Sequence, residues 1–223
     1  MTTIAIVGAG PGVGAAVARR FGREGFAVAL IARDQERVQQ LAATITAEGI
    51  TARGYAADVL DVQELTAALR AAEADLGPVD VLQYSPIPSR DYLRPVLETT
   101  ADQLREAVQF SVLGAHAAVT AVLDGMRERR SGTVVVINGG TAVRPRSGYA
   151  GTSVAFAGES ALVQMLDEAL RPDGVAVVQL VVPGAIDADD PAKSPQAIAE
   201  RVWQHHQAPP AEFRDFLVPL DAG

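Results

Sequence analysis

The sequence contains no cysteine, and its 223 residues include a single lysine, Lys193. The lack of cysteine excludes disulfide bonds, thiolate metal ligands and a cysteine nucleophile. The first residues lack the basic region of a signal peptide, and no run of about 18 apolar residues predicts a membrane-spanning helix. Adjacent His205 and His206 do not share a helix face, so no metal site is predicted. We expect a soluble, cytoplasmic protein without a membrane partner.

Acidic residues outnumber basic ones, and the formal net charge is −8 at pH 7. Such a surface repels the phosphate backbone of nucleic acids, so nucleic acid is not an expected partner. The composition, with 48% hydrophobic and 21% charged residues, is that of a folded globular protein. A phosphorylated ligand therefore has to be held by main-chain dipoles and a few arginines.

Short apolar runs alternate with amphipathic stretches along the chain. Strands are predicted at residues 3–7, 27–31, 53–56, 79–83, 133–137 and 175–182. Helices are predicted at residues 13–23, 35–48, 62–76, 100–129, 153–170 and 195–207. Apolar strands separated by helices are typical of a parallel sheet covered on both faces. We predict an α/β fold, a Rossmann-type doubly wound parallel sheet in three layers, formed by a single domain of residues 1–223 with a tail at about 208–223.

A glycine-rich turn joins the first predicted strand to the first helix. It reads Gly8-Ala9-Gly10-Pro11-Gly12-Val13-Gly14. Glycine permits a sharp turn, a close approach of the main chain to a pyrophosphate, and tight packing of helix on strand. The helix N-terminus offers free N–H groups to phosphates. This strand–turn–helix context indicates a dinucleotide site; the alternative is a structural turn that binds nothing.

Arg33 follows the second strand, where NAD-binding proteins usually place a carboxylate for the ribose hydroxyls. A guanidinium there can bind a 2′-phosphate through paired hydrogen bonds, so we favour NADP(H) over NAD(H). The alternative is a solvated surface arginine. The next residue, Asp34, suits the N-cap of the following helix. After the third strand, Asp58 is either an acceptor for the adenine amino group or a turn residue.

Together these motifs resemble the short-chain dehydrogenase/reductase family over residues 3–205. The resemblance rests on the glycine spacing and on the segments Asp58-Val59, Val79-Asp80-Val81-Leu82, Leu170-Arg171-Pro172-Asp173-Gly174-Val175 and Pro183-Gly184-Ala185-Ile186. It implies a cofactor site made of Gly8, Gly10, Pro11, Gly12, Val13, Gly14, Arg33, Asp58, Val59, Ser85, Pro86, Pro183, Gly184 and Ile186. Proteins of this fold often pair through their long helices, and an apolar stripe on helix 153–170 favours a homodimer or homotetramer.

The catalytic half of the family pattern is not present. The segment 84–87, Tyr-Ser-Pro-Ile, stands where the family has Asn-Asn-Ala-Gly, and Ser111 stands where it has a structural asparagine. The family's catalytic serine falls on Gly139 or Gly140. Tyr84 and Tyr92 flank the exit of the fourth strand, where they either line a substrate pocket or pack in the core.

The family's Tyr-x-x-x-Lys pair falls on Thr152 and Phe156, and a shifted alignment gives Tyr149 and Ser153. Because Lys193 is the one lysine of the chain, no Tyr-x-x-x-Lys exists anywhere in it. A tyrosine with a pKa near 10 is only about 0.1% ionised at pH 7, and the family lowers that pKa with the ammonium group and the charged nicotinamide ring. The usual proton relay is therefore not expected here.

Three hydroxyl groups remain as candidate catalytic groups, those of Tyr149, Thr152 and Ser111. Arg144 or Arg146 is a candidate source of positive charge beside Tyr149, and the alternative is that this segment is an ordinary polar loop.

Three functions stay open. We favour an enzyme, an NADP(H)-dependent oxidoreductase that acts on an unidentified small carbonyl, alcohol or enone through a relay of other residues. The second is a catalytically inactive NADP(H)-binding sensor or partner subunit, and the third is a non-redox enzyme that reuses the fold. A small molecule, as substrate or effector, is the expected partner.

Overall fold

The structure, a computed structural model, describes residues 2–220; Met1 and residues 221–223 of the predicted tail lie outside the described residues. The strands are β1 (Thr3–Val7), β2 (Ala27–Ala32), β3 (Ala52–Ala56), β4 (Val79–Tyr84), β5 (Gly132–Gly139), β6 (Val175–Val182) and β7 (Arg214–Phe216). The helices are α1 (Val13–Gly22), α2 (Gln35–Ala47), α3 (Val62–Leu76), α4 (Ala101–Val108), α5 (Gly114–Arg129), α6 (Ala150–Leu170) and α7 (Pro195–Gln207). Each predicted strand and helix is present.

The strands form one parallel sheet in the order β3-β2-β1-β4-β5-β6-β7. The chain runs outwards from β1 to β3 and then returns to place β4 on the other side of β1. The strand order therefore reverses beside β1, and in open α/β sheets ligands bind at such a point, outside the carboxyl ends of the strands. The doubly wound parallel fold is confirmed.

Alternating side chains of the buried strands face the two helical layers. In β1, Ile4 and Ile6 belong to a core cluster shared with α1, α2 and α7, whereas Ala5 and Val7 belong to a cluster shared with α3, α5 and α6. The strands are apolar on both faces because both faces are covered, which gives the three predicted layers.

The seventh strand lies inside the predicted tail. Residues Arg214–Phe216 pair in parallel with β6, with Gln179 opposite Arg214 and Val181 opposite Phe216. A strand of three half-buried residues with two charged side chains carries no apolar run, so the pattern of hydrophobic residues could not reveal it. The predicted tail thus contains a strand at Arg214–Phe216 that was not predicted from the sequence.

The predicted helix 100–129 is continuous but not uniform. A π-helical turn, Gln109–Leu113, joins α4 to α5, and π-turns of this kind are frequent at functional sites. Among residues 2–220, the run Ala101–Arg129 is the one helix whose length and mean hydropathy of 1.3 would suffice to cross a membrane, although no membrane span was predicted. Half of the apolar window is buried inside the protein, where α5 packs against α3.

Candidate nicotinamide dinucleotide site

The glycine-rich turn lies at the carboxyl end of β1, at the reversal of strand order. Gly8 has a φ of +88°, and its N–H donates a hydrogen bond of 2.9 Å to the Ile31 carbonyl of β2. A Cβ on Gly8 would lie 2.5 Å from the main chain of Pro86, and one on Gly14 would lie 2.9 Å from the Cα of Ala9. Glycine is therefore required twice, once for the left-handed backbone and once for the close packing of α1 on the turn.

The start of α1 leaves several main-chain donors open. Gly12 is the N-cap and supplies no side-chain acceptor. Within residues 2–220, the N–H groups of Gly12, Val13 and Gly14 have no acceptor, as expected for the first turn of a helix without a side-chain cap. A Cβ on Gly10 would meet nothing within 4 Å. Open donors at the positive end of a helix dipole suit an anionic ligand.

A cavity of about 630 Å³ extends from this turn to α2. Its walls include Gly8, Ala9, Gly10 and Pro11 of the turn, Ile31 to Asp34 after β2, one face of α2, Ala57 and Val59 after β3, and Pro86, Ile87 and Phe110. This volume lies in the range of small-molecule and cofactor sites. The predicted Gly8, Gly10, Pro11, Arg33, Val59 and Pro86 are thus brought together around one space.

Arg33 lines this cavity and also a neighbouring one of about 660 Å³ that contains Asp58 and Tyr55. The Arg33 side chain is exposed and makes no hydrogen bond or ion pair with the rest of the described chain. Asp34 caps α2, accepting a hydrogen bond of 3.0 Å from the Arg37 N–H. The Asp34 carboxylate therefore caps the start of α2 and does not pair with Arg33. The Arg33 guanidinium is available to a ligand phosphate.

Asp58 faces the second cavity rather than the first. Its side chain accepts a hydrogen bond of 3.0 Å from the Leu60 N–H, so it also closes a turn, and both interpretations of this residue are compatible with the geometry. Ser85 lies beside β1, with its N–H donating to the Val7 carbonyl at 2.9 Å. Gln83 donates a hydrogen bond of 2.7 Å to the Ser85 hydroxyl, so this hydroxyl is held at the base of the crevice.

Pro183, Gly184 and Ile186 follow β6 at the same sheet edge. Gly184 has a φ of +78°, and the Ile186 side chain is 46% exposed. A Cβ on Gly140 would lie 3.7 Å from the Cα of Pro183, so the exits of β5 and β6 are neighbours. Nothing in the geometry tests the assignment of these three residues to a cofactor, which stays a prediction.

The positions that correspond to the family's catalytic residues do lie together. Phe156 is half-buried, and its Cε2 atom would lie 3.8 Å from a Cβ on Gly139. Thr152 is one helical turn before Phe156 in α6 and is 3% exposed. The main chain of Tyr92 would lie 2.8 Å from a Cβ on Gly151, so the loop after β4 covers the start of α6. The corresponding place therefore holds glycine, threonine and phenylalanine instead of a charged proton relay.

The three candidate hydroxyls differ in their access to ligands. Tyr149 is 42% exposed at the N-cap of α6, and the turn that carries it is closed by Ser153, which accepts a hydrogen bond of 3.0 Å from the Arg146 N–H. Thr152 and Ser111 are both buried. Of the three, Tyr149 is the one that is exposed, and its catalytic role stays a prediction.

Tyr84 and Tyr92 pack in the core rather than lining a pocket. Their exposed fractions are 1% and 3%. The Tyr84 hydroxyl donates a hydrogen bond to the Phe110 carbonyl in the π-turn, and the Tyr92 hydroxyl donates one of 2.8 Å to Glu106. Burial, reinforced by nearby carboxylates, raises the pKa of both hydroxyls well above the ordinary value, so neither ionises near neutral pH.

A series of hydrogen-bonded polar side chains, which we name the polar chain, connects β7, β6, β5 and α6. Arg214 donates to Gln179 Oε1 at 2.9 Å, Gln179 donates to Asn138 Oδ1 at 3.1 Å, and Asn138 donates to Glu159 Oε2 at 2.8 Å. All three bonds point the same way, from a guanidinium to a carboxyl, and aligned bonds polarise one another. Desolvation raises the pKa of Glu159 to about 8, although the hydrogen bond from Asn138 opposes that shift.

Sequence reasoning missed this chain of residues. Glu159 occurs in a predicted helix, where a glutamate is typical of a solvated face, and Asn138 and Gln179 occur in strands of mostly apolar residues. A polar residue within a buried strand has to find a partner, which is the one signal that was available. Among residues 2–220, no group of three or more histidine, aspartate or glutamate side chains is arranged to hold a metal ion.

Comparison with known proteins identifies the family. The family model described as short chain dehydrogenase matches residues 2–198. The 2,3-dihydro-2,3-dihydroxybenzoate dehydrogenase of Bacillus subtilis (strain 168) is 31% identical over 196 residues, which cover 82% of this chain and 69% of that protein.

Two solved structures have the same fold. A metagenomic short-chain oxidoreductase in complex with NADP matches with a TM-score of 0.83 and 24% identity, covering 98% of this chain and 97% of that one. A xylitol dehydrogenase bound to NAD+ matches with a TM-score of 0.76 and 23% identity, covering 82% and 70%. Relatives of this fold thus hold either nicotinamide cofactor. With the glycine turn, the strand order and the family match in agreement, the chain belongs to the short-chain dehydrogenase/reductase family.

Proposed function

We propose that this protein is an NADP(H)-dependent oxidoreductase that acts on a small carbonyl compound, alcohol or enone. The observation that carries the proposal is the open row of N–H groups at Gly12, Val13 and Gly14, which directly follows the turn residues that line the same cavity as the unpaired guanidinium of Arg33. A diphosphate fits the first feature and a 2′-phosphate fits the second. The proposal agrees with the family to which the chain belongs.

The residues of this chain would bind and orient the cofactor. The turn 8–14 would hold the diphosphate, Arg33 the 2′-phosphate, Val59 and Asp58 the adenine, and Pro183 with Gly184 the nicotinamide side. When bound, the cofactor supplies hydride chemistry at its nicotinamide ring. What the protein adds is a fixed geometry between that ring and the substrate, and orientation alone lowers the barrier considerably.

Tyr149 is the proposed proton donor or acceptor at the substrate. It is exposed at the start of α6, and Arg146 lies in the same turn, closed by a hydrogen bond of 3.0 Å from the Tyr149 N–H to the Arg146 carbonyl. Thr152 is covered by the loop after β4, so a direct role for it is less compatible with this geometry.

A second candidate, a cofactor-binding sensor or partner subunit without turnover, is favoured by a specific observation. The place of the family's charged relay is filled by Gly139, Thr152 and Phe156, and Thr152 is 3% exposed. Such a site retains every feature needed for binding while it lacks the usual proton path. A non-redox reaction has no observation of its own in its favour.

Calorimetric titration with NADPH and NADH tests the cofactor assignment. We expect Arg33→Ala to weaken NADPH binding about tenfold, since a charge-assisted contact at an exposed site contributes about 1.4 kcal/mol, and to leave NADH binding unchanged. Arg53→Ala is the matched control, because Arg53 lies on the adjacent strand and pairs with Asp75 at 2.9 Å outside the main cavity. An NADPH/NADH affinity ratio that does not change in Arg33→Ala would show that Arg33 is a solvated arginine.

Oxidation of NADPH, followed by its absorbance, separates the two candidates. Consumption with any member of a panel of aldehydes, ketones and enones, reduced by Tyr149→Phe, supports the enzyme. Tight binding without consumption across the panel supports the sensor or partner subunit.

We further propose a soluble, cytoplasmic homodimer or homotetramer, in which the exposed Val154 and Met165 of α6 contribute to the subunit contact. Light scattering tests the mass of the assembly.

A further inference from the structure

Residues 213–220, which follow α7 and which we name the closing segment, run along the sheet towards the candidate nicotinamide end. The segment pairs with β6 as strand β7. The Leu217 N–H then donates a hydrogen bond of 3.0 Å to the Val181 carbonyl, one residue before the strand ends. The segment therefore leaves the sheet at the carboxyl end of β6, just before Pro183.

The course of the closing segment is fixed by side chains on three elements. Arg214 donates a hydrogen bond of 2.9 Å to Gln179 of β6 and another to the hydroxyl of Ser160 of α6. Asp215 forms an ion pair with Arg201 at 2.7 Å and lies 3.0 Å from Nε2 of His205, and both of these residues are in α7. These contacts use only residues of this chain, so the segment is held in place before any ligand arrives.

This course brings Leu220 against the end of β5. Its Cδ2 atom would lie 3.6 Å from a Cβ on Gly140, and the Cα of Pro183 would lie 3.7 Å from the same point. Leu220 is half-buried there. Gly140 presents no side chain, so the methyl groups of Leu220 approach the place where the family resemblance puts a catalytic serine. An apolar group thus stands next to the proposed nicotinamide side.

We propose that Leu220 is an apolar cover over the nicotinamide end of the site, supplied by the same chain. The proposal rests on the proposed function, since it assumes a dinucleotide on the turn 8–14. The segment that follows β6 turns quickly back on itself, with the Asp187 N–H donating to the Lys193 carbonyl at 3.3 Å, and Ile186 stays 46% exposed. The closing segment supplies the shielding that this short loop does not give, and it makes the adjoining part of the substrate site apolar.

A pair of ligands that differ only in the nicotinamide tests the cover. NADPH and 2′-phospho-ADP-ribose are titrated into the full chain, into Leu220→Ala and into Pro219→Ala, whose exposed side chain makes it the control in the same segment. We expect Leu220→Ala to weaken NADPH binding about fivefold, the effect of a partly buried apolar contact, with less than a twofold change for 2′-phospho-ADP-ribose. Leu220→Met, which keeps the volume, should retain the original NADPH affinity.

The outcomes separate the cover from the function on which it rests. Unchanged or tighter NADPH binding in Leu220→Ala, while 2′-phospho-ADP-ribose still binds, overturns the cover and leaves the proposed function intact. Equal weakening of both ligands also overturns it, because the effect would then not be local to the nicotinamide. If neither ligand binds to the folded original chain, the proposed function fails and the cover fails with it.

Discussion

Replacement of Glu159 by glutamine should change how the stability of this protein depends on pH. The Glu159 side chain is 2% exposed, and its pKa is about 8 in the folded chain compared with 4.5 in the absence of the fold. Between these two values the folded state holds a proton that the unfolded state has released. The stability that this proton confers is thus fully present below pH 4.5 and is lost as the pH rises through 8.

The magnitude follows from the two pKa values. Each pH unit between them corresponds to about 1.4 kcal/mol, so from pH 5 to pH 8 the wild-type chain should lose about 4 kcal/mol relative to Glu159→Gln. The neutral amide keeps an oxygen for the 2.8 Å hydrogen bond from Asn138. Tyr84 of β4 faces the same carboxyl, but its raised pKa keeps it neutral over this range. Arg214 at the other end of the polar chain stays charged, so Glu159 is the group that titrates.

Urea unfolding of both proteins at pH 5, 6, 7 and 8 measures the effect. The free energy of unfolding of Glu159→Gln minus that of the wild type should rise steadily with pH, while His205 and His206 titrate in both proteins and cancel. Glu168→Gln is the control, because Glu168 is exposed on the same helix and should give a constant difference. A constant difference for Glu159→Gln as well would refute the reasoning and show that this carboxyl is ionised throughout.

Four further substitutions test the turn and its surroundings. Gly10→Ala should weaken NADPH binding about tenfold without lowering the melting temperature, because the added methyl enters space open to the ligand, whereas Gly14→Ala should lower the melting temperature through its contact with Ala9. Tyr84→Phe removes the hydrogen bond to the π-turn and should cost about 1–2 kcal/mol in chemical unfolding. Asp34→Ala removes the cap of α2 and should cost about 1 kcal/mol; no loss would mean that α2 does not need this cap.

Features that depend on consecutive residues could be predicted from the sequence. The turn 8–14 and the strand before it are a local pattern, and the residue type at each position has a local reason. Asp34 as a cap follows from its residue type just before a helix, and Arg33 as a neighbour of the turn follows from the rule that parallel strands end at the same edge. The parallel order of the strands follows from apolar runs separated by helices.

Features that depend on distant residues could not be predicted from the sequence. The meeting of Leu220 with Gly140 joins parts of the chain 80 residues apart, and neither residue type suggests the other. The sequence pattern gives Glu159 and Gln179 no special role, because they join one buried network only when α6 packs against the sheet. The π-turn at Gln109–Leu113 has no local pattern either, because the one extra residue in each hydrogen-bonded turn leaves no mark on residue type. Tertiary packing decides all three.

The position of Arg214 has a consequence for synthesis of the chain on the ribosome. Most of the sheet and its helical layers are complete once α7 has emerged, yet Gln179 and Ser160 still lack the guanidinium that β7 brings to them. Ser160 donates a hydrogen bond of 2.9 Å to Gln179 Oε1 in any case, so the guanidinium adds charge-assisted contacts, each of which contributes about 1.5–3 kcal/mol. The packing between α6 and β6 should therefore reach its full stability only when β7 has paired with β6.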